Sequence, residues 1–205
     1  MIALRGLASF AVRDPEPVPR PRCELCGAPL ADAHQHVVEL GARGVQCACR
    51  ACAVLFDRTD AETKFRTVPD RVLTDRAFAM TAETWARLGV PVALVFFVRD
   101  SRSGTIAASY PGPAGITDGE LEPRVWDAVV AATTLATELV PDVEALLVHG
   151  ERGTATMSCH LVPITAAYEL AGKLRTSWRG FSGGDEARRE LAGFLTALDH
   201  QGDRR

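Results

Sequence analysis

The stretch CELCGAPLADAHQHVVELGARGVQCACRACAVLF, residues 23–56, holds five of the chain's six cysteines and two of its five histidines. It contains two C-x-x-C pairs, Cys23 with Cys26 and Cys49 with Cys52, and 22 residues separate the pairs. A C-x-x-C turn aims two thiolates at one point, and two such turns supply the four sulfur ligands that Zn²⁺ takes in structural sites. The stretch therefore predicts a closed four-thiolate metal site.

The residues between the two pairs predict a β-hairpin. HVVEL (36–40) and GVQC (44–47) flank the glycine-rich turn GARG (41–44), and such a turn between two apolar runs is typical of a hairpin. The second pair leads into the apolar AVLF (53–56), which predicts a short helix beginning at that pair. Treble-clef-like and zinc-ribbon-like modules are built in this way.

Three more residues of the same stretch are candidate ligands. Cys47 precedes Cys49 by two positions, so in a strand both thiols would face the same side. Cys47 is then either an alternative ligand to Cys49 or a small buried apolar residue. His34 and His36 are either exposed polar residues at the start of a strand, replacements for one cysteine, or ligands of a second metal ion, and His36 is the stronger candidate.

The identity of the metal rests on the second pair. Four sulfur ligands in a tetrahedron bind iron as well as zinc. Rubredoxin-like iron sites have a second pair of the form C-P-x-C-G, and CRAC (49–52) departs from that form. Zinc is therefore the predicted metal and iron the alternative.

The composition limits the classes of protein that the chain can belong to. It has 205 residues, of which 47% are hydrophobic and 24% charged, with a net charge of −3 and a pI near 6.0. The acidic balance, with no stripe of basic and aromatic residues in the cysteine-rich stretch, argues against nucleic acid as a partner.

No apolar run approaches the roughly 18–20 residues that cross a bilayer, and the first residues lack a secretory signal pattern, so we expect a cytoplasmic protein. In that reducing compartment, clustered cysteines favour metal binding over disulfides.

Three segments are predicted along the chain. Residues 1–22 are a leader and proline-rich linker, residues 23–66 the cysteine-rich metal-binding module, and residues 67–205 an α+β domain. Residues 57–80 are a polar connector, in which a short strand is expected near RVL (71–73).

The α+β domain is predicted to run in the order hairpin, helix, hairpin, helix, helix, after one short helix capped by Thr81. This order predicts a mainly antiparallel sheet with helices covering one side. PGPAG (111–115) and RGFSGG (179–184) are expected to interrupt regular structure. The predicted strands are 90–98, 105–110, 143–150 and 155–164, and the main helices are 122–140, 165–178 with Thr165 as N-cap, and 185–198.

No catalytic set emerges from the sequence, so a non-enzymatic role is expected. Cys159 and His160 suggest a thiol nucleophile with its base. They are neighbours on a predicted strand, however, and their side chains therefore point to opposite faces. The pattern predicts a core cysteine beside a surface histidine.

A second candidate site lies in LRTSWRGFSGGDE (174–186). Arg175 and Trp178 are at the end of one predicted helix, and Gly183 and Gly184 precede the next, whose free N–H groups can bind an anion or a partner. Asp185 already stands at that helix start and favours the simpler interpretation, a tight turn between two helices.

The segments CELCGAPL, H-x-H, CACRACAVLFD, YPGPAG, VEALLV and YELAGKLRTSWRGFSGG, in that order, resemble a family of uncharacterised bacterial proteins of similar length. The resemblance covers residues 4–198. Members of that family look like accessory proteins encoded beside nickel–iron hydrogenases in high-GC bacteria. The resemblance implies a role in hydrogenase maturation or assembly and a protein partner, and it implies no established activity.

Three functions follow from the sequence. The favoured one is a non-enzymatic, zinc-binding accessory or interaction protein. The alternatives are a rubredoxin-like iron protein for electron transfer or iron handling, and a zinc-ribbon module that binds nucleic acid.

Overall fold

The computed structural model describes residues 20–57, 63–90, 93–119, 121–150, 157–180 and 183–202. The predicted leader and proline-rich linker, apart from residues 20–22, lie outside these ranges. In the described part of the chain the helices are α1 (Arg50–Leu55), α2 (Ala82–Arg87), α3 (Pro123–Ala132), α4 (Leu135–Glu138), α5 (Ile164–Ser177) and α6 (Gly184–Gly202). The strands there are β1 (Gln35–Glu39), β2 (Gly44–Ala48), β3 (Phe65–Thr67), β4 (Leu73–Asp75), β5 (Leu94–Arg99), β6 (Ile106–Gly112), β7 (Gly115–Gly119), β8 (Glu144–Gly150) and β9 (Met157–Pro163).

The strands form two antiparallel sheets. The smaller sheet has the order β2-β1-β3, and the larger has the order β4-β9-β8-β5-β6-β7. Every pairing in both sheets is antiparallel. The predicted fold class, α+β with antiparallel sheets and helices and with the cysteine cluster near the start of the chain, is confirmed.

Helices cover both faces of the larger sheet. In β5, Leu94 and Phe96 pack in one apolar cluster with residues of α5 and α6, whereas Val95 and Phe97 pack in a second cluster with residues of α3 and α4. The expectation of helices on one side is therefore wrong. The reason is visible in the continuous apolar run of β5, because a strand covered on both faces needs apolar residues at every position.

The predicted helix 122–140 is wrong as a single element. It is divided between α3 and α4 at Thr133, whose backbone is extended with φ −153° and ψ 139°. The Thr133 side chain is buried, and its Oγ1 donates a hydrogen bond of 2.6 Å to Asp75 Oδ2 in β4. This contact between the end of α3 and the sheet fixes the position of the break. No local sequence pattern predicts it.

PGPAG (111–115) interrupts regular structure as predicted, but only over the two-residue turn 113–114, because β6 runs through Gly112 and β7 begins at Gly115. One prediction at the end of an element is wrong. Thr165 is not the N-cap of α5. The helix already begins at Ile164, which is buried and donates its amide to the Val143 carbonyl at 2.9 Å.

His160 is fully buried, as is its neighbour Cys159. Cys159 is in the core as predicted, but the prediction of a surface histidine is wrong. β9 lies inside the sheet between β4 and β8, and His160 shares with Val162 the face of β9 that α5 and α6 cover.

β3 is an element that the sequence did not predict. It pairs with β1, with Val37 opposite Thr67 and Glu39 opposite Phe65. The boundary placed at residue 66 falls inside this strand, and the division of the chain into two units stays a prediction.

Candidate metal centre

The first cysteine pair is held by a tight turn. The Cys23 amide donates to the Ala28 carbonyl at 2.8 Å, and the Gly27 amide donates to the Cys23 carbonyl at 2.7 Å. Gly27 has φ +75°, a conformation that glycine adopts without the steric cost of a side chain. The turn brings the thiols of Cys23 and Cys26 to the same side.

The second pair is held by the start of a helix. Cys49 is the N-cap of α1, and its sulfur accepts a hydrogen bond from the Cys52 amide at 3.5 Å. Positions three apart lie on one side of a helix, so Cys52 follows Cys49 towards the same point. The Thr67 hydroxyl of β3 donates to the Ala53 carbonyl and fixes α1 against the small sheet.

The structure brings the four sulfurs of Cys23, Cys26, Cys49 and Cys52 within 4.8 Å of one another. The Cys26 and Cys49 sulfurs are 3.7 Å apart, and all four cysteines are free thiols. A tetrahedron with Zn–S bonds of about 2.3 Å has sulfur–sulfur edges of about 3.8 Å, whereas the sulfurs of a disulfide are about 2.05 Å apart. These four residues could hold a metal ion.

The clustered thiols perturb one another's ionisation. A hydrogen bond from the backbone amide of Cys49 lowers the pKa of Cys23 to about 6. The Cys26 thiol, together with burial, raises the pKa of Cys52 to about 12. Ionisation is thus favoured at Cys23, whereas a raised pKa disfavours it at Cys26 and Cys52, because like charges at contact distance cannot all ionise. A cation bound among them reverses this balance and displaces the remaining thiol protons.

Cys47, His34 and His36 form a separate group, whose candidate ligand atoms lie within 4.8 Å of one another. None of the three belongs to the group of four cysteines. Burial lowers the pKa of His36, with a further lowering by His34. Burial, then the Glu24 carboxylate, raises the pKa of Cys47.

The second predicted site lies between α5 and α6, where the structure describes the chain up to residue 180 and from residue 183. Trp178 Nε1 donates to the Gly180 carbonyl at 3.0 Å, and Gly183 and Gly184 have φ of +90° and +80°. Arg175 is on the exposed side of the last turn of α5. A role for this turn in binding an anion or a partner stays a prediction.

A cleft that the sequence did not predict lies between α5 and the strands β5, β6 and β7. Its volume is about 260 Å³, and its polar lining is Arg43, Ser109, Asp118 and Tyr168. The Ser109 hydroxyl donates to Asp118 Oδ1 at 2.6 Å. The lining residues come from the β1–β2 turn, three strands and a helix, so no local motif could have indicated them.

The family of unknown function DUF5947 matches residues 22–202. The chain belongs to the DUF5947 family. The matched range includes both C-x-x-C pairs, the His34–His36–Cys47 group and both sheets. This DUF5947 chain has no match among curated proteins and none among solved structures. Among its helices in the described ranges, none has the length and apolar content needed to cross a membrane.

Proposed function

We propose that Cys23, Cys26, Cys49 and Cys52 bind one structural Zn²⁺, and that the protein is a non-enzymatic accessory protein whose zinc fixes an interaction module. The observation that carries the proposal is the convergence of the four sulfurs within 4.8 Å. Four thiolates complete the coordination of zinc and leave no position for a substrate or a water, which is the arrangement of structural rather than catalytic sites.

Exposed apolar side chains beside the metal ligands support an interaction role. Val54 and Leu55 follow Cys52 in α1 and are 63% and 66% exposed. Large apolar side chains exposed on a rigid element are candidates for contact with a partner. The resemblance to accessory proteins of nickel–iron hydrogenases makes the maturation or assembly machinery of such an enzyme the proposed partner. Cysteines that stay reduced and bind zinc are typical of a reducing compartment, and we therefore propose that the protein acts in the cytoplasm.

Elemental analysis of protein purified without added metal tests the metal and its ligands. The expected sample is colourless and contains zinc, and Cys26→Ser loses the zinc of this site. Cys159→Ala is the matched control, because Cys159 is a core thiol on β9, and it keeps the zinc. Iron with visible thiolate-to-iron absorption bands would contradict the proposal and favour the rubredoxin-like alternative.

The hydrogenase role needs a test in cells. In a bacterium that carries this gene beside a nickel–iron hydrogenase, deletion of the gene is expected to lower hydrogen-dependent dye reduction. The wild-type gene restores it, and the double variant Val54→Glu, Leu55→Glu restores less. Unchanged hydrogenase activity after deletion would contradict this role.

A salt-dependent mobility shift of labelled DNA or RNA by micromolar protein would instead favour the nucleic-acid alternative.

A further inference from the structure

We propose that His34, His36 and Cys47 form a second metal site, distinct from the four-cysteine site, that takes a divalent transition-metal ion of the Zn²⁺ class through two imidazole nitrogens and one thiolate. The ligand atoms of the three residues lie within 4.8 Å of one another. Around one ion with Zn–N bonds of about 2.0 Å and a Zn–S bond of about 2.3 Å, such atoms lie about 3.3–3.6 Å apart. Small side-chain rotations therefore bring the three onto a single ion.

The hydrogen bonds of His34 fix which of its nitrogens is available. Nδ1 lies 3.0 Å from the Ala31 carbonyl oxygen and 3.1 Å from that of Asp32. A carbonyl oxygen only accepts, so Nδ1 carries the hydrogen and Nε2 of the neutral ring holds the free lone pair. Metal-binding histidines are held in this way, with the second nitrogen donating to a carbonyl or carboxylate.

Nε2 of His34 is buried and has no hydrogen-bond partner among the residues that the structure describes. A buried polar atom normally has a partner, and each exception needs an explanation. The His34 and His36 rings are 4.7 Å apart between centroids, and the lone pair of His34 is available to an ion shared with His36. A metal ion supplies the partner that Nε2 otherwise lacks.

The hairpin places the other two ligands. His36 in β1 is directly opposite Cys47 in β2, and directly opposed residues of an antiparallel pair have side chains on the same face. The edge of β2 is held there by Glu24, whose amide donates to the Cys47 carbonyl at 2.9 Å and whose carboxylate accepts from the Cys47 amide. The thiol is therefore held beside both imidazoles by backbone geometry.

The donor set defines the kind of ion and the character of the site. A thiolate with two imidazoles suits zinc, cobalt, nickel or copper and does not suit Mg²⁺ or Ca²⁺, which prefer oxygen ligands. Three protein ligands leave one coordination position open, unlike the closed four-cysteine site. The second site thus binds an ion that stays accessible to water or to an external ligand.

Metal titration of the full-length chain tests the site. The protein is first loaded with one equivalent of Zn²⁺, and Co²⁺ is then added while the visible and near-ultraviolet absorption is followed. The expected result is one further cobalt ion per chain, with tetrahedral cobalt bands and a charge-transfer band of a single thiolate. Each ligand variant should bind the cobalt ion more weakly; the variants are His34→Ala, His36→Ala and Cys47→Ser. The loss of affinity should exceed the roughly 10–100-fold that is typical when a residue hydrogen-bonded to a metal ligand is removed.

Matched controls separate ligand loss from other effects. His200→Ala removes an exposed histidine of α6, and Cys159→Ala removes a core thiol. Both variants should bind the second ion with the affinity of the wild type. Retention of the first zinc by each variant shows that the four-cysteine site is intact. Because the two sites share no ligand, Cys26→Ser tests the first site without removing any residue of the second.

Alkylation of the wild-type chain gives a measurement that needs no variant. The second equivalent of metal should slow alkylation of Cys47, measured by mass spectrometry of the peptide that contains it, by at least tenfold. Failure of the zinc-loaded wild type to bind one cobalt ion would overturn the proposal. So would cobalt affinity in His36→Ala and Cys47→Ser equal to that of the wild type, or no protection of Cys47.

Discussion

Glu144, at the start of β8, is a carboxylate with no exposed surface. Arg71 donates to it twice, from Nε to Oε1 at 2.6 Å and from Nη2 to Oε2 at 2.9 Å. The Val140 amide donates to the same Oε2 at 2.9 Å, and Arg71 also reaches the Glu138 carbonyl at 3.1 Å. One buried pair therefore ties the connector after β3 to the end of α4 and to the larger sheet.

Replacing Arg71 with methionine should lower the free energy of unfolding by about 3–5 kcal/mol, because it leaves the Glu144 charge buried without its partner. Denaturant unfolding measures the change. Lys173→Met is the control, since the pair of Lys173 with Glu169 is exposed on α5, and it should stay within about 0.5 kcal/mol of the wild type. Similar stabilities of the two variants would show that the buried pair does not hold the connector.

Asp100 is a single residue through which the stability of the fold should depend on pH. Amide hydrogen bonds from Ser103, with help from Arg43 and the Arg102 amide, lower the pKa of Asp100 from 3.8 to about 2. A carboxyl group with a lowered pKa in the folded state stabilises the fold above about pH 4, and that contribution is lost as the pH falls towards 2. Unfolding free energy should therefore fall more steeply below pH 4 in the wild type than in Asp100→Asn. Parallel curves for the two proteins would contradict this assignment.

At the scale of elements, the break between α3 and α4 depends on the hydrogen bond from Thr133 to Asp75. Thr133→Val keeps the shape of the buried side chain but leaves Asp75 Oδ2 without this donor. The expected loss in unfolding free energy is about 1–3 kcal/mol. Thr137→Val, at an exposed position of α4, should change it by less than about 0.5 kcal/mol. A loss no larger in Thr133→Val than in this control would mean that packing alone sets the break.

The helices and strands also show how much of the fold can be predicted from the sequence. The hairpin β1–β2, the helix at the second cysteine pair and most strands of the larger sheet follow from local pattern, because turn residues and apolar periodicity are local properties. The hairpin even implies its register. Pairing Glu39 with Gly44 across the turn places His36 opposite Cys47. This register was the signal in the sequence for the second group of candidate ligands.

Other elements could not be predicted, for a physical reason that is the same in each case. β3 is a strand because it pairs with β1, β7 because it pairs with β6, and His160 is buried because helices cover its face of the sheet. Each depends on a partner distant in sequence, and tertiary context overrides weak local preference.

At the scale of the whole molecule, the small sheet is packed onto the larger one. Val38 of β1 belongs to the same apolar cluster as Leu94 and Leu147 of the larger sheet. Arg66 of β3 also pairs with Asp142 at 3.3 Å, with both side chains mostly buried. The candidate metal centre therefore lies on a small sheet that packs against the main core on one side.

Cys26→Ser should consequently unfold the surroundings of the metal while residues 81–198 stay folded. Far-ultraviolet circular dichroism should keep the signal of α3, α5 and α6, and hydrogen exchange should speed up mainly in residues 23–57. Cys159→Ala again serves as the control, because it changes the main core and leaves the metal ligands intact. Loss of all secondary structure in Cys26→Ser would show that the two segments fold as one unit.

X-ray absorption at the zinc edge, on full-length protein that carries one zinc per chain, tests the central claim most directly. Four thiolate ligands predict a single first shell of four sulfurs at about 2.3 Å and no nitrogen or oxygen neighbour. A first shell with nitrogen or oxygen, or with fewer than four sulfurs, would contradict a closed site made of Cys23, Cys26, Cys49 and Cys52.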